Sequence, residues 1–280
     1  REVVSAIARR RSVLLIGSGV SANAIGDKGE RPPTWGAFLH KAYGDLRRRV
    51  PHIKSALERY KYLEACDYLR KEHAENWANL IRGSFITPKF KNAEIHKAIF
   101  DLDSRIVASL NFDKIYDSYA INASEGTVII KNYYDPDIRQ AVAGPDRYII
   151  KPHGTVDRMS QMIFTIDDYA RARVEHWSFY EMFTALLHTH TFLCVGCGLS
   201  DPDIQLIFEN YRYQHGEMPH YMTMATPVSE AEKELVRRTR GLNMITYSPR
   251  DEHSELSESL KALVGQVSEE RDQIQLERNW

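Results

Sequence analysis

The sequence predicts an α/β protein built on a Rossmann-like, doubly wound parallel sheet. Seven short apolar segments fit buried strands, at 12–17, 105–110, 127–131, 147–151, 191–195, 221–225 and 243–247. Continuous apolar runs of this length are typical of strands that are covered on both faces. Helical patterns separate most of these segments, notably at 174–188 and 203–212. Strands that alternate with helices favour a doubly wound sheet.

The interval between the first two predicted strands interrupts this alternation. From Trp35 to about Phe100 the chain is rich in helix-forming residues and contains no convincing strand. We therefore expect a single domain over 1–280, with a helical subdomain inserted at about 36–103. The segment at about 254–280 is predicted to be a helical tail. Its polar composition favours either exposure to solvent or contact with a partner.

Composition excludes several classes of protein. Thirty-seven Lys and Arg residues oppose 38 Asp and Glu residues, so the basic excess of a nucleic-acid-binding protein is missing, and we expect no direct sequence-specific nucleic-acid binding. No apolar run approaches the roughly 20 residues that cross a bilayer, and no signal peptide is recognised, so we expect a cytoplasmic protein without membrane contact.

The Cys194–Cys197 pair has no second pair to complete a zinc site of about four ligands. We expect no metal.

The first candidate site follows the first predicted strand, in the order Gly17, Ser18, Gly19, Val20 and Ser21. A strand that runs into glycines and then a helix suits the phosphates of a dinucleotide, because the backbone can approach them closely. The alternative is a glycine turn that serves tight packing alone. An acidic residue about 20 positions later is missing, which argues against an ordinary dehydrogenase.

The second candidate site is Asn111-Phe112-Asp113, at the carboxyl end of another predicted strand. Side chains two apart on an extended chain point the same way, so the amide and the carboxylate can face one ligand. In open α/β sheets, ligands bind at this edge. Alternatively, Asn111 and Asp113 only cap the following helix.

The third and fourth candidate sites also follow strands. His153, beside Gly154, is a candidate general base near neutral pH, although most single histidines are not catalytic. The fourth loop offers Gly196 and Gly198 for close backbone approach, Ser200 for phosphate or adenosine, and Asp201 for ribose hydroxyls. Its alternative role is a helix start, with Ser200 or Asp201 as N-cap before Pro202.

Together these segments resemble the sirtuin superfamily, and more closely its sirtuin-like branch in bacterial antiphage defence proteins. Residues 17–21 resemble the G-A-G-x-S motif. Residues 33–35 resemble the P-T-W of the defence branch, which implies that Trp35 contributes to binding NAD⁺. Residues 111–113 are similar to N-I-D, and His153-Gly154 to the catalytic H-G. Residues 163–169 and 195–203 resemble the T-x-x-D-Y and G-x-S-L-S-D-P-D segments.

Two departures from deacetylases alter what the resemblance implies. Leu110 stands where deacetylases have glutamine, and the paired C-x-x-C motifs of their zinc module are absent. That module helps to form the peptide cleft, so the resemblance implies NAD⁺ hydrolysis rather than deacylation. The resemblance implies NAD⁺ as the substrate. Asn111 would hold the nicotinamide ribose and orient the attacking water, and His153 would accept a proton. Asp113 would bind the nicotinamide carboxamide. A protein deacylase or ADP-ribosyltransferase and a silent NAD or ADP-ribose sensor remain alternatives.

Partners follow from the resemblance alone. A chain of this size resembles the subunit that pairs with a HerA-type hexameric ATPase, which implies a homo-oligomer.

Overall fold

The computed structural model of the protein describes residues 1–198, 201–214 and 218–277. Within these residues seven strands form one sheet, in the order β3-β4-β2-β1-β5-β6-β7, and all neighbouring strands are parallel. The predicted fold class and each of the seven predicted strands are confirmed. The strands are β1 (Ser12–Ile16), β2 (Ile106–Ser109), β3 (Ile129–Asn132), β4 (Tyr148–Lys151), β5 (Thr191–Val195), β6 (His220–Ala225) and β7 (Leu242–Tyr247).

Helices cover both faces of this sheet. They are α1 (Glu2–Ala8), α2 (Ser18–Ser21), α3 (Trp35–Gly44), α4 (Pro51–Glu58), α5 (Tyr62–His73), α6 (Trp77–Phe85), α7 (Glu94–Asp101), α8 (Ile115–Ala123), α9 (Gln140–Ala143), α10 (Ile166–Glu175), α11 (Trp177–Thr189), α12 (Pro202–Gln214), α13 (Glu230–Arg240) and α14 (Arg250–Glu277). Short 3-10 helices span Ala74–Asn76 and Val156–Gln161. None of the described helices is both long and apolar enough to cross a bilayer.

The central strands are buried on both sides because successive side chains enter different cores. Leu14 and Ile16 of β1 pack with α1, α7, α8 and α14. Val13 and Leu15 point to the opposite face, where α10, α11 and α12 contribute aromatic and aliphatic side chains. This alternation is the period of two of an extended strand, with both faces apolar.

A third core lies to one side of the sheet and belongs to the helical subdomain. Helices α3, α4, α5 and α6 pack around Phe38, Ile53 and Leu69, and Phe164 from the sheet domain joins them. We included α7 in this subdomain, but the structure packs α7 on the sheet through Ile95 and Ile99. The apolar positions of α7 therefore face β2, into which the chain then continues.

The C-terminal helix is part of the sheet domain. Four apolar residues of α14 are buried on one stripe, at Leu256, Leu260, Val267 and Ile274, against α1 and α7. Arg271 adds hydrogen bonds to the backbone oxygens at the ends of α1 and α7. The expectation of a tail that is exposed or reserved for a partner is wrong, because spacings of four and seven residues keep one apolar face toward the core.

Replacing Leu260 by alanine is expected to lower the free energy of unfolding by about 2–5 kcal/mol, because a fully buried leucine leaves a cavity. Urea denaturation measures the change. Leu276→Ala is the matched control in the same helix, since Leu276 is 77% exposed, and it should cost less than about 0.5 kcal/mol. Equal effects of the two substitutions would contradict the packing of α14.

Candidate functional site

The four predicted loops meet at one edge of the sheet. They follow β1, β2, β4 and β5, and these strands are neighbours in the order β4-β2-β1-β5. Strand β1 is the topological switch point, because β2 flanks it on one side and β5 on the other. Ligands of open α/β sheets bind in the crevice at such a point. A cavity of about 720 Å³ lies there, between the sheet edge and the helical subdomain.

Most of the predicted site residues line this cavity. Gly17, Ser18, Ser21, Trp35, Asn111, Asp113, His153, Gly198 and Asp201 form part of its wall. Gly19 and Gly196 lie behind the wall, in contact with each other. Ser200 lies outside the described residues.

The glycines bring the β1 and β5 loops together. A Cβ atom on Gly17 would stand 2.6 Å from the backbone oxygen of Gly196, and one on Gly19 would stand 2.9 Å from the Gly196 Cα. Gly196 has a φ of +62°, a left-handed conformation that favours glycine. The backbone N–H groups of Gly17 and Gly19 donate to Val195 and Gly196 oxygens. These glycines therefore serve the tight packing that we weighed as an alternative, and their own N–H groups are engaged within the protein.

Asn111 is tied to the glycine loop through its amide nitrogen. Nδ2 donates to the Gly17 backbone oxygen at 2.9 Å and to Ser21 Oγ at 2.8 Å. A carbonyl oxygen only accepts, so this contact fixes the orientation of the amide. The Asn111 side-chain oxygen is then the atom that can accept a hydrogen bond from a ligand or a water.

Asp113 has a structural contact as well as a place in the cavity wall. Its Oδ1 accepts from the backbone N–H of Ile115, the first residue of α8, at 3.0 Å. Of the two residues that we weighed as helix caps, only Asp113 therefore bonds the start of α8, and it does so from outside the N-cap position, which Lys114 occupies. The second carboxylate oxygen, Oδ2, is the atom that can contact a ligand.

His153 lies within a hydrogen-bonded cluster with Asp201 and Tyr169. Its Nε2 is 3.0 Å from Asp201 Oδ2, and its Nδ1 is 3.3 Å from the Leu110 backbone oxygen. The Tyr169 hydroxyl donates to the same Asp201 oxygen at 2.5 Å and is 3.5 Å from His153 Nε2. We expected the Asp201 carboxylate to face ribose, and the structure instead directs one of its oxygens to His153.

The cluster shifts the pKa of each member. Burial lowers the pKa of His153, but the Asp201 carboxylate outweighs this effect, so the pKa lies above its ordinary value of 6.5. Burial raises the pKa of Asp201, but His153 and the Tyr169 hydroxyl bring it down to about 2. Burial and the adjacent Asp201 raise the pKa of Tyr169 well above its ordinary range. Both shifts favour the state in which His153 carries the proton and Asp201 is ionised.

Behind the cavity, a buried ion pair supports the β2 loop. The Lys151 ammonium, with no exposed surface, lies 3.0 Å from Asp117 Oδ2 and donates to the Asp113 backbone oxygen at 3.0 Å. Burial raises the pKa of Asp117 against the lowering effect of Lys151. Lys151 therefore connects the end of β4 with α8 and with the loop that carries Asn111.

Several functional candidates were missed from the sequence. Tyr169 was noted only within the 163–169 resemblance, and Lys151 only as the residue two before His153. The aromatic wall was also missed, although Trp35 was predicted. Phe164 stacks on Trp35 with ring centroids 5.0 Å apart, and it lies tilted against Phe112 at 4.4 Å. The signal for Tyr169 was its place after two acidic residues in a motif of the resemblance. The other contacts join residues far apart in the chain.

The cysteines pack in the core. Cys194 and Cys197 are buried free thiols, and burial raises the pKa of Cys194 to about 12. The Cys197 thiol donates to the Leu15 backbone oxygen at 3.2 Å. Across the part of the chain that is described, no group of three or more His, Cys, Asp or Glu side chains is arranged to hold a metal ion.

The cavity can bind an extended ligand and move a proton at one end. Comparison with known proteins finds relatives of modest sequence identity. "NAD(+) hydrolase ThsA" of Enterococcus faecium is 25% identical over 194 residues, which cover 61% of this chain and 40% of that protein. "NAD(+) hydrolase ThsA" of Bacillus cereus (strain MSX-D12) is 23% identical over 130 residues, 46% of this chain and 27% of that protein. The chain thus spans less than half the length of either relative.

The profile of the SIR2-like domain family matches residues 105–245. The match begins at β2 and ends within β7, so it includes the loops that carry Asn111, His153 and Asp201. It covers half of the 280 residues. The chain therefore belongs to the SIR2-like domain family.

Proposed function

We propose that the protein binds NAD⁺ and hydrolyses the bond between nicotinamide and ribose. The observation that carries this proposal is the convergence of Asn111, Asp113 and His153 on one cavity at the switch point of the sheet. The cavity volume of about 720 Å³ falls within the range of small-molecule and cofactor sites. The two relatives named NAD(+) hydrolase support the same reaction.

Each side chain then has a role that its geometry permits. The Asn111 side-chain oxygen accepts from the ribose or from the attacking water, because both amide hydrogens are held by Gly17 and Ser21. Asp113 Oδ2 accepts from the nicotinamide carboxamide. Ser18 and Gly198, which line the cavity beside the glycine packing, face the phosphates. Ser200 retains its predicted place at phosphate or adenosine.

The reaction breaks one bond and forms another. The bond between the ribose C1′ and the pyridinium nitrogen breaks, and its electron pair neutralises the departing nicotinamide. Water forms a bond to C1′ and transfers a proton to the neutral form of His153, directly or through a ribose hydroxyl. The products are nicotinamide, ADP-ribose and a proton. Such a site acts mainly by positioning the reactants and by stabilising the cationic ribose.

The experiment is to incubate the purified chain with NAD⁺ and measure products by chromatography. Nicotinamide and ADP-ribose are expected in equal amounts without any peptide, and Asn111→Ala should lower the rate at least about tenfold because the water loses its acceptor. Release that requires an acylated peptide would instead favour a deacylase. Tight NAD⁺ binding without cleavage would favour the sensor. Either result contradicts hydrolysis.

The biological setting is a proposal from the family resemblance and the relatives. NAD⁺ depletion in antiphage defence is the role that the hydrolase activity would serve. A homo-oligomer paired with a HerA-type hexameric ATPase is the assembly that the resemblance implies. Light scattering of the chain, alone and with such an ATPase, tests it, and a monomer under both conditions contradicts it.

A further inference from the structure

We propose that Asp201, held in place by Tyr169, is the positioning residue that keeps His153 protonated in the ligand-free site. The inference rests on the proposed function only in taking His153 as the group that accepts the proton. The geometry of the three side chains is independent of the reaction. The protonation of His153 in the free protein can therefore be tested without substrate.

Both ring nitrogens of His153 face acceptors. Nδ1 is 3.3 Å from the Leu110 backbone oxygen, which cannot donate, so this nitrogen carries a hydrogen. Nε2 is 3.0 Å from Asp201 Oδ2, and the side chains are only 10% and 11% exposed. A neutral ring would direct the Nε2 lone pair at a carboxylate oxygen. The arrangement therefore favours the imidazolium, which donates from both nitrogens.

The position of Asp201 is over-determined. Its Oδ2 accepts from Tyr169, and its Oδ1 accepts from the Ile204 backbone N–H at 2.8 Å, which caps α12. Tyr169 and Arg173 lie one turn apart on α10. As Tyr169 bonds Asp201, so Arg173 forms an ion pair with Asp203. Helix α10 thus holds both acidic residues that flank Pro202.

The charged groups around His153 come from two directions. Asp201 and Asp203 precede and begin α12, and both raise the pKa of His153, whereas burial lowers it. Asp203 is already bound by Arg173 at 2.7 Å and by the Tyr180 hydroxyl at 2.6 Å. Tyr169 faces the ring from α10 as a neutral hydroxyl. Asp201 is consequently the carboxylate that interacts most directly with His153.

This pairing suits a positively charged substrate. A protonated His153 with an ionised Asp201 carries no net charge, so it does not repel the nicotinamide ring. When His153 loses its proton, the pair becomes negative beside the ribose and favours the cationic transition state. Because the reactive form is deprotonated, kcat/KM should rise with pH through a pKa above 6.5.

The test is Asp201→Asn, which keeps the shape and the capping oxygen but removes the charge. In histidine-labelled protein, NMR titration should place the wild-type His153 pKa above 6.5, with the signal assigned by its loss in His153→Gln. In Asp201→Asn the proton affinity of His153 should fall at least about tenfold, because burial is then opposed only by the more distant Asp203 carboxylate and the Leu110 backbone oxygen. The acid limb of kcat/KM should move to lower pH in parallel, and the plateau should fall.

Two variants separate charge from structure. Tyr169→Phe leaves the Asp201 charge, so the His153 pKa should remain above 6.5. Asp203→Asn makes the same change two residues on, where Arg173 already holds the carboxylate, and should lower the pKa less than Asp201→Asn does. Two results overturn the proposal. One is a proton affinity of His153 in Asp201→Asn that stays within about twofold of wild type. The other is a fall in the His153 pKa that is as large in Asp203→Asn as in Asp201→Asn. If NAD⁺ is not cleaved at all, the titration still decides the role of Asp201.

Discussion

Replacement of His153 by alanine is expected to reduce kcat for NAD⁺ cleavage by about 10²–10⁴-fold, the usual contribution of a general acid or base. NAD⁺ affinity should change only a few-fold, since most of the cavity wall is contributed by other residues. An interaction needed only in the transition state lowers kcat and kcat/KM together. Steady-state kinetics measure kcat and KM, and calorimetry measures binding.

The matched control is His188→Ala. His188 is exposed near the end of α11, just before β5 begins, so it lies at the edge of the sheet opposite the cavity. Its replacement should leave kcat within about twofold of wild type, as expected for a surface position away from the site. A His153→Ala enzyme that retains kcat within about threefold would assign the proton transfer to another group.

Replacement of Lys151 by methionine is expected to cost about 3–5 kcal/mol of unfolding free energy, because Asp117 is left as a buried carboxylate without its cation. The pKa of Asp117, already raised by burial, should rise further. An acid whose pKa is raised in the folded state is destabilising above its unfolded value of about 3.9. The loss should therefore diminish as the pH falls through the folded pKa of Asp117. Urea denaturation at several pH values measures it.

A second substitution and a control sharpen this result. Lys151→Met with Asp117→Leu should recover most of the lost stability, since an apolar pair can replace a buried ion pair. It should not recover the hydrogen bond to the Asp113 oxygen, so NAD⁺ cleavage should stay impaired. Lys131→Met, on neighbouring strand β3, breaks a partly exposed pair with Asp137 and should cost at most about 1 kcal/mol. A loss of that size for Lys151→Met would show that the buried pair is not important for stability.

The elements predicted well are those with a local signal. The inner strands β1, β2, β4 and β5 are short runs that are buried along their whole length, so the run itself is sufficient to predict them. The outer strands β3, β6 and β7 are only partly buried, and their shorter apolar segments still placed them. The cavity could be anticipated for a related reason. Carboxyl ends of parallel strands meet at one edge, so glycines, amides and a histidine after β1, β2, β4 and β5 must lie near one another.

The elements predicted poorly depend on weak or distant patterns. Helix α14 presents four fully buried apolar residues among many charged ones, and composition concealed the stripe formed by Leu256, Leu260, Val267 and Ile274. Helix α7 looked like part of a continuous helical insertion, because the sequence between Trp35 and Phe100 carries no marker of which core each helix joins. Only packing separates α7 from α3–α6.

The sequence by itself determined the α/β class, the seven strands and the chemical types that gather at the sheet edge, because these follow from local apolar runs and from strand direction. Tertiary structure alone decided the partners of those groups. It placed Asp201 and Tyr169 on His153, and Lys151 between Asp117 and the Asn111 loop. Side chains 16–48 positions apart meet there only because the sheet order brings their loops together, and burial then gives each contact its effect on protonation and stability.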